Sequence, residues 1–214
     1  MSLLLVLEEI DPETDCIENS FEIEIENISE IEKLMHISFE EDFDVYYEYN
    51  IDDLAVIALK KHFNIQKTSR NLPGRIRKRN KFDSLPYLIH DGRELSLMIA
   101  GQKPLSYFAF FEEDRRQKTH IEQIFSTYVK NNTVHHHEYV TYVKSHDFSV
   151  PRGVIYTIYT LPDEDWRARA LIMLKESALK SGWSEGMERM EGLLLGYRDW
   201  ENDAFLKLLS APLE

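Results

Sequence analysis

Residues 138–144, EYVTYVK, and residues 154–160, VIYTIYT, face each other across a connection containing Pro151 and Gly153. Both runs are rich in Tyr, Val, Thr and Ile, which suit a pleated, half-buried surface. They read as neighbouring strands. Further strand signals lie around them. Residues 105–111, LSYFAFF, follow Pro104 and read as a buried strand. Residues 21–27, FEIEIEN, place Phe21, Ile23 and Ile25 on one side and Glu22, Glu24 and Glu26 on the other. A period of two means a strand with one wet face. Residues 2–7 read as a strand, residues 44–49, DVYYEY, as another, and the polar residues 11–20, DPETDCIENS, as a loop.

Helix signals are interleaved with these strands. Ser29 with Glu32 makes a capping box that opens a short helix to about His36. Asn50 is placed to cap a helix over 51–63, with Leu54, Ile57, Ala58 and Leu59 on its apolar side. Asp91 with Glu94 repeats the capping box over DGRELSLMIAG, where Leu95, Met98 and Ile99 share a face and Gly101 stands at the stop position. Residues 121–130 read as a helix. From Pro162, taken as a first-turn proline, three helices follow, over 163–182, 184–196 and 199–209. The elements do not alternate strictly as βαβ. The expected class is therefore α+β, with a mostly antiparallel sheet, packed helices and a helical C-terminal quarter. One domain over residues 1–214 suits the length. Within it, an acidic N-terminal region (residues 1–66), a central sheet region (residues 67–161) and C-terminal helices (residues 162–214) are the natural subdivisions.

Charge is distributed unevenly. The chain carries a formal net charge of −13. Residues 1–53 hold 18 Asp or Glu against one Lys, a net of −17, and residues 54–214 hold 24 basic against 20 acidic residues, a net of +4. Within the latter, residues 67–81 carry seven Lys or Arg and no acid. The segment 70–82, RNLPGRIRKRNKF, reads as a loop around its Pro73-Gly74 turn signal. Its simplest role is to neutralise the acidic front inside the fold. Long-range repulsion from an acidic chain argues against nucleic acid, and no zinc finger, RNP segment or basic recognition helix is present. The single cysteine, Cys16, excludes an internal disulfide and suits a cytoplasmic compartment. No apolar run approaches the roughly 18 residues of a membrane span.

Three groups of residues carry candidate chemistry. Arg75, Arg77 and Arg93, with Lys78, suggest an arginine-rich corner for a phosphate or carboxylate at a helix start. His135 and His137 point the same way on a strand and are weak candidates for chelating a metal, with His120, His146 or Glu122 available as third ligands. Glu185, Glu188 and Glu191 line one helix face, with Met187, Met190, Leu193 and Leu194 on the buried side. No Gly-x-Ser-x-Gly elbow, P-loop or Gly-x-Gly-x-x-Gly is present, and no cofactor is expected. The pattern points to a non-enzymatic binding or regulatory protein whose acidic face, at Glu22, Glu24 and Glu26, meets a basic protein partner. The alternative is a small enzyme or ligand-binding domain acting on an anionic substrate at Arg75, Arg77 and Arg93.

Overall fold

The computed structural model describes residues 3–26, 29–35, 49–66, 71–144 and 151–211. They form an α+β fold of two compact units, Met1–Ser84 with Asp91–Arg93, and Leu85–His90 with Glu94–Glu214.

The first unit is a four-stranded antiparallel sheet of β1 (Leu3–Asp11), β2 (Cys16–Ile25), β3 (Tyr49–Ile51) and β4 (Gly74–Lys78), in the order β2-β1-β4-β3. Two helices accompany it, α1 (Ser29–Met35) and α2 (Asp53–His62). The alternation in FEIEIEN holds. Ile23 and Ile25 are buried with Leu5, Leu7 and Ile76 beneath Ile31 of α1 and Val56 and Leu59 of α2, whereas Glu22 and Glu24 are exposed. The strand runs back further than the polar composition of residues 11–20 suggests, although a bulge opposite Glu9 and Ile10 breaks its period and buries both Cys16 and Ile17. Only Pro12–Asp15 is a turn, and β2 begins at the buried Cys16. The turn closes because the Asp11 carboxylate accepts the Glu13 N–H at 2.8 Å, and Asp15 takes a left-handed φ of 53°.

The basic stretch is not a loop. Its Gly74–Lys78 portion is a central strand, flanked by β1 and β3. Ile76 faces the core, while Arg75 and Arg77 face the other way onto Glu8 of β1. Composition obscures the period because the arginines that alternate with Ile76 read as a solvated basic run, whereas Glu8 of the neighbouring strand pairs with both. Gly74 is required by close approach, since a Cβ there would collide with the Glu8 carbonyl oxygen.

The α2 helix also departs from its sequence reading. Its cap is Asp52, whose carboxylate accepts the Ala55 N–H at 2.8 Å, and Asn50 belongs to β3. The inward stripe is Val56, Leu59 and Lys60, leaving Leu54 71 % exposed and Ile57 outward. A lysine occupies the stripe because its ammonium reaches the buried Glu9 at 2.9 Å, and Asn19 donates to the second Glu9 oxygen at 2.9 Å. The expected strand over 44–49 lies outside the described residues except for Tyr49.

The second unit contains α3 (Glu94–Ile99), β5 (Leu105–Phe111), α4 (Arg115–Lys130), β6 (His135–Val143), β7 (Arg152–Thr160), α5 (Asp165–Ser181), α6 (Glu185–Leu195) and α7 (Asp199–Ser210). Its sheet is antiparallel in the order β5-β7-β6, so the two aromatic strands of the sequence are neighbours, with Tyr139 opposite Tyr156. On one face Leu105 and Ile158 pack against Ala168, Leu171 and Leu174 of α5 and Leu194 of α6. On the other, Tyr159 stacks on Phe125 of α4 at 3.9 Å between ring centres. Pro162 lies in the turn before the Glu164 cap, outside the first turn of α5. In α3, Leu95 and Met98 are buried but Ile99 faces outward. In α6, Ser184 caps the start and Gly196, at φ 93°, the end, yet the inward residues are Glu191 and Leu194, with Met190 and Leu193 exposed. Among the described residues no helix is long and apolar enough to cross a membrane.

Glu8 is 3 % exposed and serves two arginines, so Glu8→Ala removes a shared buried carboxylate from Arg75 and Arg77, of which Arg77 keeps Asp83. The expected loss, read by urea unfolding, is about 3–5 kcal/mol. Glu22→Ala, which removes an exposed pair, should cost less than about 1 kcal/mol in the same assay.

Candidate functional sites

One face of the first sheet is charged. Even-numbered residues of β2 place Ser20, Glu22 and Glu24 on it, β1 adds Glu8, β4 adds Arg75 and Arg77 from its odd-numbered positions, and Glu18 stands at the bulge where the register of β1 and β2 shifts. Glu8 sits between strands. Arg75 Nε donates to its Oε2 at 2.5 Å, and Arg77 donates to its Oε1 at 3.0 Å through Nη2 and at 3.2 Å through Nε. Arg77 also grips Asp83 through two parallel bonds of 2.8 and 2.7 Å. The Asp83 bond, with Glu8 beside it, raises the Arg77 guanidinium above its ordinary value despite burial. Burial alone would raise the Asp83 carboxyl, but the hydrogen bonds from Arg77 and the Asn80 N–H bring it below its usual value.

Arg93 belongs to the same neighbourhood. Its Nη2 lies 3.5 Å from Ser20 Oγ. Burial lowers the Arg93 guanidinium, while Glu8, Cys16 and Glu18 are close enough to pull it the other way. The three arginines of the expected corner are thus brought together around a carboxylate of the chain itself, Glu8. The Lys78 side chain lies outside the described set. Of the expected acidic face, Glu22 stands 2.9 Å from Arg79 Nε. This is an ion pair by distance only, because that buried N–H has no hydrogen-bond acceptor. Glu24 and Glu26 are exposed. They belong to β2, which among the described residues is an edge strand of the sheet, and to its end, and near the start of β2 the Ile17 N–H is taken by the Gly92 carbonyl at 2.7 Å.

In the second unit, the run HHHE of β6 divides its side chains between two faces. His135 and His137 face α5 and converge on Asp165. His135 Nδ1 is 2.9 Å from both carboxylate oxygens, and His137 Nε2 is 3.0 Å from Oδ1. The buried Thr160 hydroxyl donates to the same Oδ1 at 2.6 Å and lies 3.1 Å from His137 Nε2. The Thr160 bond, followed by the two histidines, holds the Asp165 carboxyl down at about 2. In the sequence Asp165 reads as an ordinary first-turn acid. Its tertiary role appears only when the β7–α5 turn brings it over β6.

His136 and Glu138 face α4. There they meet Glu122, and one ligand atom from each of the three lies within 4.8 Å of the others, the only such trio among the described residues. His135, His137 and Asp165 do not close up to that degree. Lys118 stands between the two carboxylates, 2.5 Å from Glu122 and 2.8 Å from Glu138. The His136 ring is stacked on Tyr159 at 5.2 Å. Burial holds its imidazole below the ordinary value, with Glu122 and Glu138 opposing. Burial, Glu122 and Glu138 push the Tyr159 hydroxyl upward.

The glutamates of α6 do not act as one face. Glu191 turns inward, accepting a hydrogen bond from the Tyr107 hydroxyl and from Lys175 Nζ at 2.9 Å, and Lys175 also donates to Tyr107 at 3.0 Å. Glu188 instead accepts the Trp183 indole N–H. Lys175 lies over the Trp183 ring at 4.6 Å, so the group is closed by an aromatic lid. The chain matches no family model, no curated protein and no solved structure.

The Asp165 cluster has a signed pH signature. A carboxyl held at about 2, against an ordinary 3.8, stabilises the fold above the ordinary value and loses that contribution as pH falls through about 2. Asp165→Asn should lower the thermal midpoint at neutral pH, and the gap to the unaltered protein should narrow as the pH is taken down toward 2. A gap that stays constant over that range contradicts the assignment.

Proposed function

We propose that the chain is a non-enzymatic binding protein whose first unit receives a basic segment of another protein along β2. One observation carries this reading. The other acids of the unit that enter its interior have partners of their own: Glu8 meets Arg75 and Arg77, Glu9 meets Lys60, and Asp11 closes its turn. β2 and its end carry the run of exposed acids at alternate positions, Glu22, Glu24 and Glu26, with Glu18 nearer its start, whereas the exposed Glu13, Asp15, Asp52, Asp53 and Asp91 stand in turns and at a helix start. Alternate glutamates on an outer strand discourage pairing between copies of this chain, because like charges would stand opposite one another. They favour a strand or extended segment carrying Lys or Arg at the same period, which gains both charge complementarity and main-chain pairing.

The alternative, a small anion at Arg75, Arg77 and Arg93, has less support. Those guanidiniums already serve Glu8, Asp83 and Ser20, so an incoming anion would have to displace interactions within the sheet.

The test uses a fluorescent peptide alternating Arg with Thr, and its counterpart alternating Glu with Thr, followed by anisotropy. The basic peptide should bind, and raising salt from about 50 to about 300 mM should weaken it roughly tenfold or more. Glu24→Lys combined with Glu26→Lys should abolish binding while leaving the unfolding midpoint in place. Equal affinity of the variant, or equal binding of both peptides, overturns the reading.

A further inference from the structure

We infer that Glu122, His136 and Glu138 form a binding site for a divalent transition ion on the α4 side of β6. The two strand ligands are separated by a single residue and so project from the same face of the ladder. The helix ligand comes from α4, which is held against that face by the stack of Phe125 on Tyr159. Their donor atoms lie within 4.8 Å of one another, a separation that small side-chain rotations contract onto one ion. Two carboxylate oxygens and one imidazole nitrogen suit zinc, cobalt, manganese or iron. The imidazole argues against magnesium and calcium, which prefer oxygen throughout.

Lys118 marks the place of the charge. Its ammonium touches both carboxylates, so a cation already belongs between them. One ammonium balances only one of two negative charges. A divalent ion balances both, and the long unbranched lysine stem lets the ammonium swing toward solvent when the ion enters.

A second observation is independent of the acidic pair. Thr157 lies directly across the ladder from Glu138 on the same face, fully buried, and its hydroxyl has no hydrogen-bond partner. Ser106, on the next strand of that face, is in the same condition. Buried hydroxyls without partners are rare in folded proteins. An outer oxygen of a metal-bound carboxylate, or a metal-bound water, is the partner that Thr157 lacks, and such contacts orient the ligands of metal sites. The stack of His136 on Tyr159 fixes the imidazole in the same way.

The experiment titrates untagged, metal-stripped full chain with Co²⁺ and then Zn²⁺. Heat is read by calorimetry and the cobalt by its visible absorption. The expected result is one ion per chain, with Zn²⁺ displacing Co²⁺ and Mg²⁺ failing to compete. His136→Ala and Glu138→Gln should each weaken binding by more than about 100-fold, beyond the roughly 10–100-fold that the loss of a supporting contact costs. Lys118→Met should tighten it, because the competing ammonium is gone. Circular dichroism establishes that each variant is folded, and His135→Ala, on the opposite face, serves as the control that leaves binding unchanged. The inference is overturned by the absence of saturable binding, by binding that survives both His136→Ala and Glu138→Gln, or by binding lost with His135→Ala. None of these outcomes bears on the basic-peptide assay, which reads the other unit.

Discussion

The first unit depends on one carboxylate. Glu8 stands on the middle of the sheet, almost without solvent, and takes hydrogen bonds from arginines on the neighbouring strand. Burying an ion is costly unless its lone pairs are filled and its charge matched, and here two guanidiniums fill them. That requirement explains why β4 carries arginines at alternate positions, why the strand can lie between β1 and β3, and why the densely basic stretch of an acidic chain is internal. Asp83 extends the same network by neutralising the second face of Arg77. The Lys60–Glu9 pair repeats the arrangement on the other side of β1, where the ammonium ties α2 to the sheet.

A second theme is the use of alternation to separate chemistries. The residues His135 to Glu138 are contiguous, yet they serve two unrelated groups. One is a hydrogen-bonded cluster around Asp165, in which Thr160, His135 and His137 all meet one carboxylate. The other is the glutamate and histidine trio over α4. The same period of two places glutamates on the wet side of β2 and aliphatic residues beneath them. In each case the pleat determines which side chains share an environment, and sequence proximity alone misleads.

Much of the architecture is legible in the chain itself. The aromatic and β-branched runs of β5, β6 and β7, the alternation of β2, and the Ser184 and Gly196 boundaries of α6 are local signals with local causes, so they survive folding unchanged. The readings that change share a different cause. Hydropathy ranks Leu54 and Ile57 above Lys60 and so assigns them to the core, but Lys60 has a buried carboxylate to meet. The same ranking turns Met190 and Leu193 inward, while Glu191 has Tyr107 and Lys175 waiting. The basic segment loses its strand period to its composition. A polar side chain goes inside when its complement is there, and the complement lies far away in sequence.

The sequence by itself therefore determined the class of fold, the antiparallel pairing of its aromatic strands, most helix limits and the uneven charge of the chain. These follow from period, capping and composition, which act over a few residues. Only the tertiary structure decided which charges cancel, that Arg75 and Arg77 close on Glu8, that Asp165 gathers two histidines, and that His136 rather than His135 or His137 meets Glu122. Those outcomes depend on distances between residues remote along the chain, and electrostatic and hydrogen-bond energies are set by those distances and by the exclusion of water around them.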